Sequence, residues 1–185
     1  MERIVVGITG ASGIIYARQF LKNFPLNQWE VHAIISQSAF LVAEEEGGLQ
    51  LPSWVQQWDE NDLKAPCASG SNVFKAMVVI PCSIGTLGKI ANGIADNLIT
   101  RTAEVFLKER RKLILVTRET PASLIQIRNM ETVTLSGAMV LPATPSFYSN
   151  PQTVEEVVNT VVFRIFDQIG IQNHAGYRWR NIDEK

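Results

Sequence analysis

The run Ile4-Val-Val-Gly-Ile-Thr-Gly-Ala-Ser-Gly13 constrains this chain most, because an apolar β segment breaks directly into glycines and small residues and then into a helical pattern. Residues 4–8 read as a buried strand, and Gly7, Gly10 and Gly13 let the backbone turn tightly and approach a ligand closely. The following helix offers its first N–H groups to an anion, so the turn is expected to cradle a phosphate. The spacing is G-x-x-G-x-S-G and no ribose-binding acid ends the second strand, which disfavours an ordinary NAD site. Ser12 puts a hydroxyl where ligand and turn meet, as a donor or proton carrier. Taken alone, the same glycines serve equally well to pack a strand on a helix.

At 185 residues the chain fits one domain, long enough to bury a core without disulfides or metal. Hydrophobic residues make up 46% and the formal net charge is -1, so neither a disordered tail nor a basic nucleic-acid surface is indicated. Small-molecule chemistry suits that balance. Cys67 and Cys82 are the only cysteines and lack CxxC spacing, which argues against a structural zinc site or disulfide framework and suits a reducing cytoplasm. No apolar run approaches the roughly 20 residues a membrane span needs. The expectation is a soluble cytoplasmic protein, a single domain over residues 1–185 with a tail from about 172 to 185.

Strand-like runs at Ile4–Ile8, Glu30–Ile35, Ala76–Ile80, Lys112–Thr117 and Ala138–Leu141 alternate with helical patterns near residues 13–24, 37–46, 84–92, 97–110, 122–135 and 154–169. That alternation predicts a doubly wound, Rossmann-like α/β fold with a mostly parallel sheet covered on both faces. Three helices carry start signals. Thr120-Pro121 reads as an N-cap followed by proline at N1, Thr153-Val-Glu-Glu156 as a capping box, and Asp96 as the cap after the Gly93 break. Gly47–Asn72 is the least regular stretch, and a loop this long suits a site lid or a subunit contact.

Ligands of open parallel sheets bind beyond the carboxyl ends of the strands, where Thr9–Gly13, Ser36, Pro81–Thr86, Arg118–Pro121 and Pro142–Tyr148 converge. Ser36, Ser83 and Thr86 are short hydroxyl donors suited to a phosphate or a polar ring edge, and equally to capping helices. Arg118 is suited to gripping a carbonyl or phosphate while Glu119 exchanges a proton with the bound group; the pair also suits a surface ion pair. Arg101, Glu104, Lys108 and Arg111 share a stripe opposite Leu98, Thr102, Val105 and Phe106. The stripe is a solvated face unless another subunit brings it against a phosphate. Arg164 interrupts a valine-rich helix, so its charge needs solvent or an anion. Tyr148 ends a stiff proline-bounded loop that can aim its hydroxyl toward Arg164. Glu46 closes the second helix, either reaching Ser12 or solvated at the helix end. His32 lies inside the second strand and His174 in the tail, so no Ser/His/Asp constellation is expected.

Together, Thr9-Gly-Ala-Ser-Gly13, Pro81-Cys-Ser83 with Thr86, Ala95-Asp-Asn-Leu98, Leu107-Lys-Glu-Arg-Arg111, Arg118-Glu-Thr-Pro121 and Pro142-Ala-Thr-Pro-Ser-Phe-Tyr148 closely resemble the UbiX-type flavin prenyltransferases. The resemblance spans nearly the whole chain and extends to Pro151-Gln-Thr153, Arg164 and Arg178-Trp179, although residues 47–64 carry nothing over. It implies an enzyme that attaches a dimethylallyl group from dimethylallyl phosphate to reduced FMN, joining N5 and C6 of the isoalloxazine into a fourth ring. The product, prenylated FMN, serves UbiD-type decarboxylases. A metal-independent homo-dodecamer with sites between subunits is also implied, which gives the Arg101/Lys108 stripe a partner.

By resemblance, Gly10, Ala11, Ser12, Ser36, Ser83, Ile84, Gly85, Thr86 and Arg118 match FMN-binding positions. Tyr148 and Arg164 match positions holding the dimethylallyl phosphate, with Arg101, Lys108 and Glu119 around the same phosphate. Ser12 with Glu46 matches a pair implicated in proton movement near the flavin, and Trp179 matches an aromatic near the prenyl group. The chemistry agrees, since breaking an allylic C–O bond leaves a delocalised cation and inorganic phosphate, which require π faces and fixed positive donors. Glu119 protonates the departing phosphate, or that phosphate itself later accepts the C6 proton. Two alternatives stand beside this reading. One is an FMN-dependent cysteine-type decarboxylase, whose histidine and Pro-x-Met-Asn signature are missing here; the other is a non-catalytic FMN carrier for a decarboxylase.

Overall fold

Runs of Val and Ile favour strands because branched side chains pack well on a pleated surface, and here they build the centre of one sheet. The computed structural model describes residues 1–25, 28–173 and 175–178. Its strands are β1 (Glu2–Ile8), β2 (Trp29–Ile35), β3 (Gln56–Asp59), β4 (Ala76–Cys82), β5 (Lys112–Thr117) and β6 (Met139–Val140). They form a six-stranded sheet in the order β3-β2-β1-β4-β5-β6, with every pairing parallel. The helices are α1 (Ile14–Lys22), α2 (Gln37–Glu45), α3 (Ile84–Ala91), α4 (Leu98–Lys108), α5 (Leu124–Leu135) and α6 (Val154–Ile169).

Successive side chains of a strand point to opposite faces, and the core divides accordingly. Ile4, Val6 and Ile8 of β1 pack with Phe20, Ala39 and Phe166 from α1, α2 and α6. Val5 of β1 packs on the other face, with Met77 and Val79 of β4 and with Leu87, Leu98 and Val133 from α3, α4 and α5. Strands buried on both faces read as continuous apolar runs, and all seven residues of β4 are buried. Pro81 within β4 cannot donate to a ladder, and the β4–β5 register shifts between Val79 and Cys82. Among the described residues no helix is long and apolar enough to cross a membrane.

Four local expectations are corrected. Gly47–Asn72 holds the edge strand β3 and a 3-10 turn at Pro66–Ala68. The polar Gln56-Gln-Trp-Asp59 pairs on one side only, so no apolar pattern announces it. α5 begins after Ser123, not Thr120, because Ser123 and Gln126 form the reciprocal capping box. α4 is capped by Asn97, whose side chain takes the Thr100 N–H while Thr100 reaches back to Asn97 N. Asp96 instead accepts from Thr100 Oγ1 (3.3 Å) and pairs with Lys89. Thr153 does cap α6, but Glu156 returns its bond to Gln152 N (2.6 Å) and not to Thr153.

Phe166 anchors α6 with its ring centroid 5.1 Å from Phe20 and 5.9 Å from Phe24. Phe166→Ala should destabilise the fold by about 3–5 kcal/mol, read as a lowered denaturant midpoint with an unchanged slope.

Candidate active site

The strand order reverses between β1 and β4, so their carboxyl ends flank the crevice where such sheets bind ligands. Thr9, buried just past β1, ties this edge together. Its hydroxyl donates to the Pro81 carbonyl (2.8 Å) and accepts the Ser83 N–H (2.7 Å). At Gly10 a Cβ would stand 2.4 Å from Ser38 Oγ, so only glycine lets the β1–α1 turn lie against the start of α2.

Gly13 enters α1 in the left-handed region with φ 109. Its N–H and that of Ile14 donate to the Glu46 carboxylate at 3.0 and 2.8 Å. The anion at this helix start is thus the chain's own side chain, which corrects the expectation that this turn cradles a phosphate on α1. The Ser12 hydroxyl bonds the same carboxylate. Burial alone would raise the Glu46 pKa, but the Ser12 hydroxyl, the Gly13 and Ile14 N–H groups and the Arg18 charge outweigh it and hold the carboxyl below its ordinary value. From the end of β5, Arg118 Nε donates to the Ser12 carbonyl at 2.9 Å. Tyr16 lies beside that guanidinium and donates to the Ala143 carbonyl at 3.3 Å; burial raises its pKa against the opposing Arg118 charge.

A cavity of about 450 Å³ opens between α2 and α3, lined by Ser36, Glu60, Ser83, Gly85, Thr86 and Lys89 among others. Ser36 and Ser83 both cap helices, their hydroxyls each accepting a backbone N–H at 3.2 Å, from Ala39 and Thr86. Capping and cavity lining therefore coincide in the same side chains. Ile84 and Gly85 form the first turn of α3, and a Cβ added at Gly85 would meet nothing within 4 Å. This hydroxyl-rich cradle at a helix N-terminus has the donors that a phosphate monoester requires.

Arg164 lines a different cavity, about 430 Å³, beside Ser146, Phe163 and Arg178. Its guanidinium pairs with Asp167 at 2.7 Å, and Arg178 holds the same carboxylate at 2.8 Å. Ser146 N donates to Thr160 Oγ1 at 3.1 Å, pinning the loop that carries the exposed Tyr148 onto α6. Glu119, exposed after β5, accepts the Thr120 N–H at 2.9 Å. Arg101 and Lys108 do not join this group. They lie on α4, which packs on the opposite face of the sheet from α6. Arg101 donates to the Ala68 carbonyl (3.2 Å) and to Glu104 (2.8 Å), and Lys108 pairs with Glu109. Trp179 and His174 lie outside the described residues.

Two residues of this edge were not singled out by sequence reasoning. Glu60 Oε1 accepts the Gln37 N–H at 2.5 Å, its Oε2 accepts from Asn97 Nδ2 at 3.3 Å, and its carbonyl takes the Leu98 N–H at 2.7 Å. It comes from the irregular stretch after β3, and no local signal announces it. Lys89 had a signal, since it stands four residues past Gly85 and so shares its helix face.

A depressed carboxyl pKa adds stability above the ordinary value of 4.5 that is lost as pH falls through the lower folded-state value. Glu46→Gln should cost about 1 kcal/mol at neutral pH, and thermal melts of variant and wild type should converge as pH drops below that range. A difference that persists undiminished in acid would show that the Glu46 charge is not what stabilises the turn.

The flavoprotein family model matches residues 1–166. Over 182 residues the chain is 45% identical to a flavin prenyltransferase UbiX of Thermoplasma acidophilum, spanning 96% of this chain and 99% of that one. AnUbiX, solved in complex with FMN and dimethylallyl pyrophosphate, matches with a TM-score of 0.90 at 38% identity, over 96% of this chain and 97% of its own. A dodecameric FMN-dependent UbiX-like decarboxylase from Escherichia coli matches with a TM-score of 0.89 at 36% identity, over 96% and 99%. Similarity of this extent leaves one assignment: the chain belongs to the flavoprotein family, among the UbiX-type flavin prenyltransferases.

Proposed function

We propose that this protein transfers a dimethylallyl group from dimethylallyl phosphate to N5 and C6 of reduced FMN, and that the prenylated FMN is passed to a UbiD-type decarboxylase. The observation that carries the reading is near-full-length similarity to UbiX enzymes, one of them solved with FMN and a prenyl donor. The residues present fit the flavin. Ser36, Ser83 and Thr86 with the Ile84 and Gly85 N–H groups offer a phosphate cradle, and Gly10, Ala11, Ser12 and Arg118 border the crevice that would receive the ring system. When bound and reduced, the flavin would supply the electron-rich N5 and C6 that bond to the two ends of the allyl unit.

The chain's own residues then have three tasks. Tyr148 and Arg164 hold the donor phosphate, and Glu119 exchanges a proton with that group. Ser12 and Glu46 form a hydrogen-bonded pair suited to moving a proton beside the flavin. Arg101 and Lys108 belong to the same phosphate only if a neighbouring subunit supplies them, because the sheet separates α4 from α6 within one chain. Sites shared between subunits of a homo-dodecamer meet that requirement, and the exposed Leu124, Ile125, Ile127 and Leu135 of α5 provide apolar surface for assembly. Trp179 would present its π face to the developing allylic cation.

Anaerobic incubation of the protein with reduced FMN and dimethylallyl phosphate, followed by mass spectrometry of the released flavin, should show the gain of one C5H8 unit. Unmodified FMN recovered from protein that binds both ligands would instead identify a carrier. Glu119→Gln should slow prenylation at least about 100-fold with FMN binding retained; an unchanged rate removes Glu119 from the chemistry.

A further inference from the structure

Three helices, α1, α2 and α3, start at the carboxyl edge beside the proposed flavin site, and each start concentrates partial positive charge. Glu46 fills the first with its carboxylate. Glu60 fills the second through the Gln37 N–H, and Asn97 holds its other oxygen in place. At α3, among the described residues, no carboxylate bonds the first N–H groups; only the Ser83 hydroxyl turns in, on the Thr86 N–H. A phosphate dianion therefore reaches α3 without displacing an internal acid, whereas at α2 it would have to compete with Glu60.

The lining charges do not by themselves favour an anion. The cavity carries one acid, Glu60, and one base, Lys89. In this structure Lys89 Nζ is held by Asp96 Oδ2 at 2.6 Å, with both side chains near half exposure. Ion pairs so exposed to solvent are weak, and Asp96 keeps a second partner in Thr100 Oγ1 when the lysine leaves. Gly85 lies one turn before Lys89 on the same helix face, and the space where its side chain would stand is empty. The flexible four-carbon stem of Lys89 thus has an open path to the first turn of α3.

We infer that Lys89 is the residue that reads the flavin phosphate: its ammonium exchanges Asp96 for the phosphate seated at the start of α3, so the site selects FMN over riboflavin. This inference rests on the flavin-binding reading given above. No covalent step is involved, and the role is one of recognition.

The test is the affinity of the full-length protein for FMN and for riboflavin, by flavin fluorescence, in wild type, Lys89→Gln and Lys89→Arg. Losing one charge-assisted contact should weaken FMN binding about ten-fold in Lys89→Gln while riboflavin binding stays unchanged. Lys89→Arg should retain most of the FMN affinity, and the FMN preference of the wild type should shrink as salt is raised. Unaltered riboflavin binding also certifies that the variant is folded. FMN binding by Lys89→Gln equal to wild type, or an equal loss for both flavins, overturns the assignment. A wild-type protein that binds neither flavin overturns the prenyltransferase reading itself, and the role of Lys89 with it.

Discussion

The carboxylate of Glu46 on the Gly13 and Ile14 N–H groups is the contact on which the geometry of the site depends. In a parallel sheet every crossover helix begins at the same edge, so partial positive charges and unpaired N–H groups accumulate there. Left unfilled, they would repel one another or take up water or stray anions. Glu46 bridges the end of α2 to the start of α1 and so fixes two crossovers against each other. It also engages the Ser12 hydroxyl at the turn while Arg118, just past β5, donates to the Ser12 carbonyl. Backbone following β1, α2 and β5 is thereby registered around one serine.

The sheet is also a barrier. The side chains proposed to hold the donor phosphate lie on α4 and α6, which pack on opposite faces of the sheet, so a single chain divides the proposed donor site into halves. No rotamer change carries Arg101 or Lys108 through a sheet whose central strands are buried on both faces. Assembly is therefore a chemical requirement of the proposed reaction, because only a second subunit can set an α4 stripe against an α6 cavity.

Much of this was legible in the chain. β1, β2, β4 and β5 announce themselves because both faces are buried and their apolar runs are continuous. β3 does not, since Gln56-Gln-Trp-Asp59 pairs along one edge and has no apolar alternation to show. The Ser36 and Ser83 caps were visible from residue type and position, because capping is a local event. The fate of the β1–α1 turn was legible only in part, through the pairing of Glu46 with Ser12. Its glycines and small residues state that an anion belongs there, but Glu46 stands 33 positions away and only the tertiary fold makes it that anion. Glu60, 23 positions from the N–H it caps, was invisible for the same reason.

Charges at this edge sort into two kinds, and the difference is physical. Glu46 accepts from two backbone N–H groups and a hydroxyl, so moving it would leave several donors unmet at once. The pairs Lys89–Asp96, Arg164–Asp167 and Arg101–Glu104 each leave their cation more than a third exposed, with water able to take over on either side. Such exposed pairs cost little to break, which is what the proposed phosphate contacts would require of them. The proposed reaction brings in a flavin phosphate and a donor phosphate and must release both at each turnover, which calls for both kinds. The fixed carboxylate keeps the turn shaped, and in the proposed reaction the weakly paired cations would let a phosphate arrive and leave without reorganising the fold.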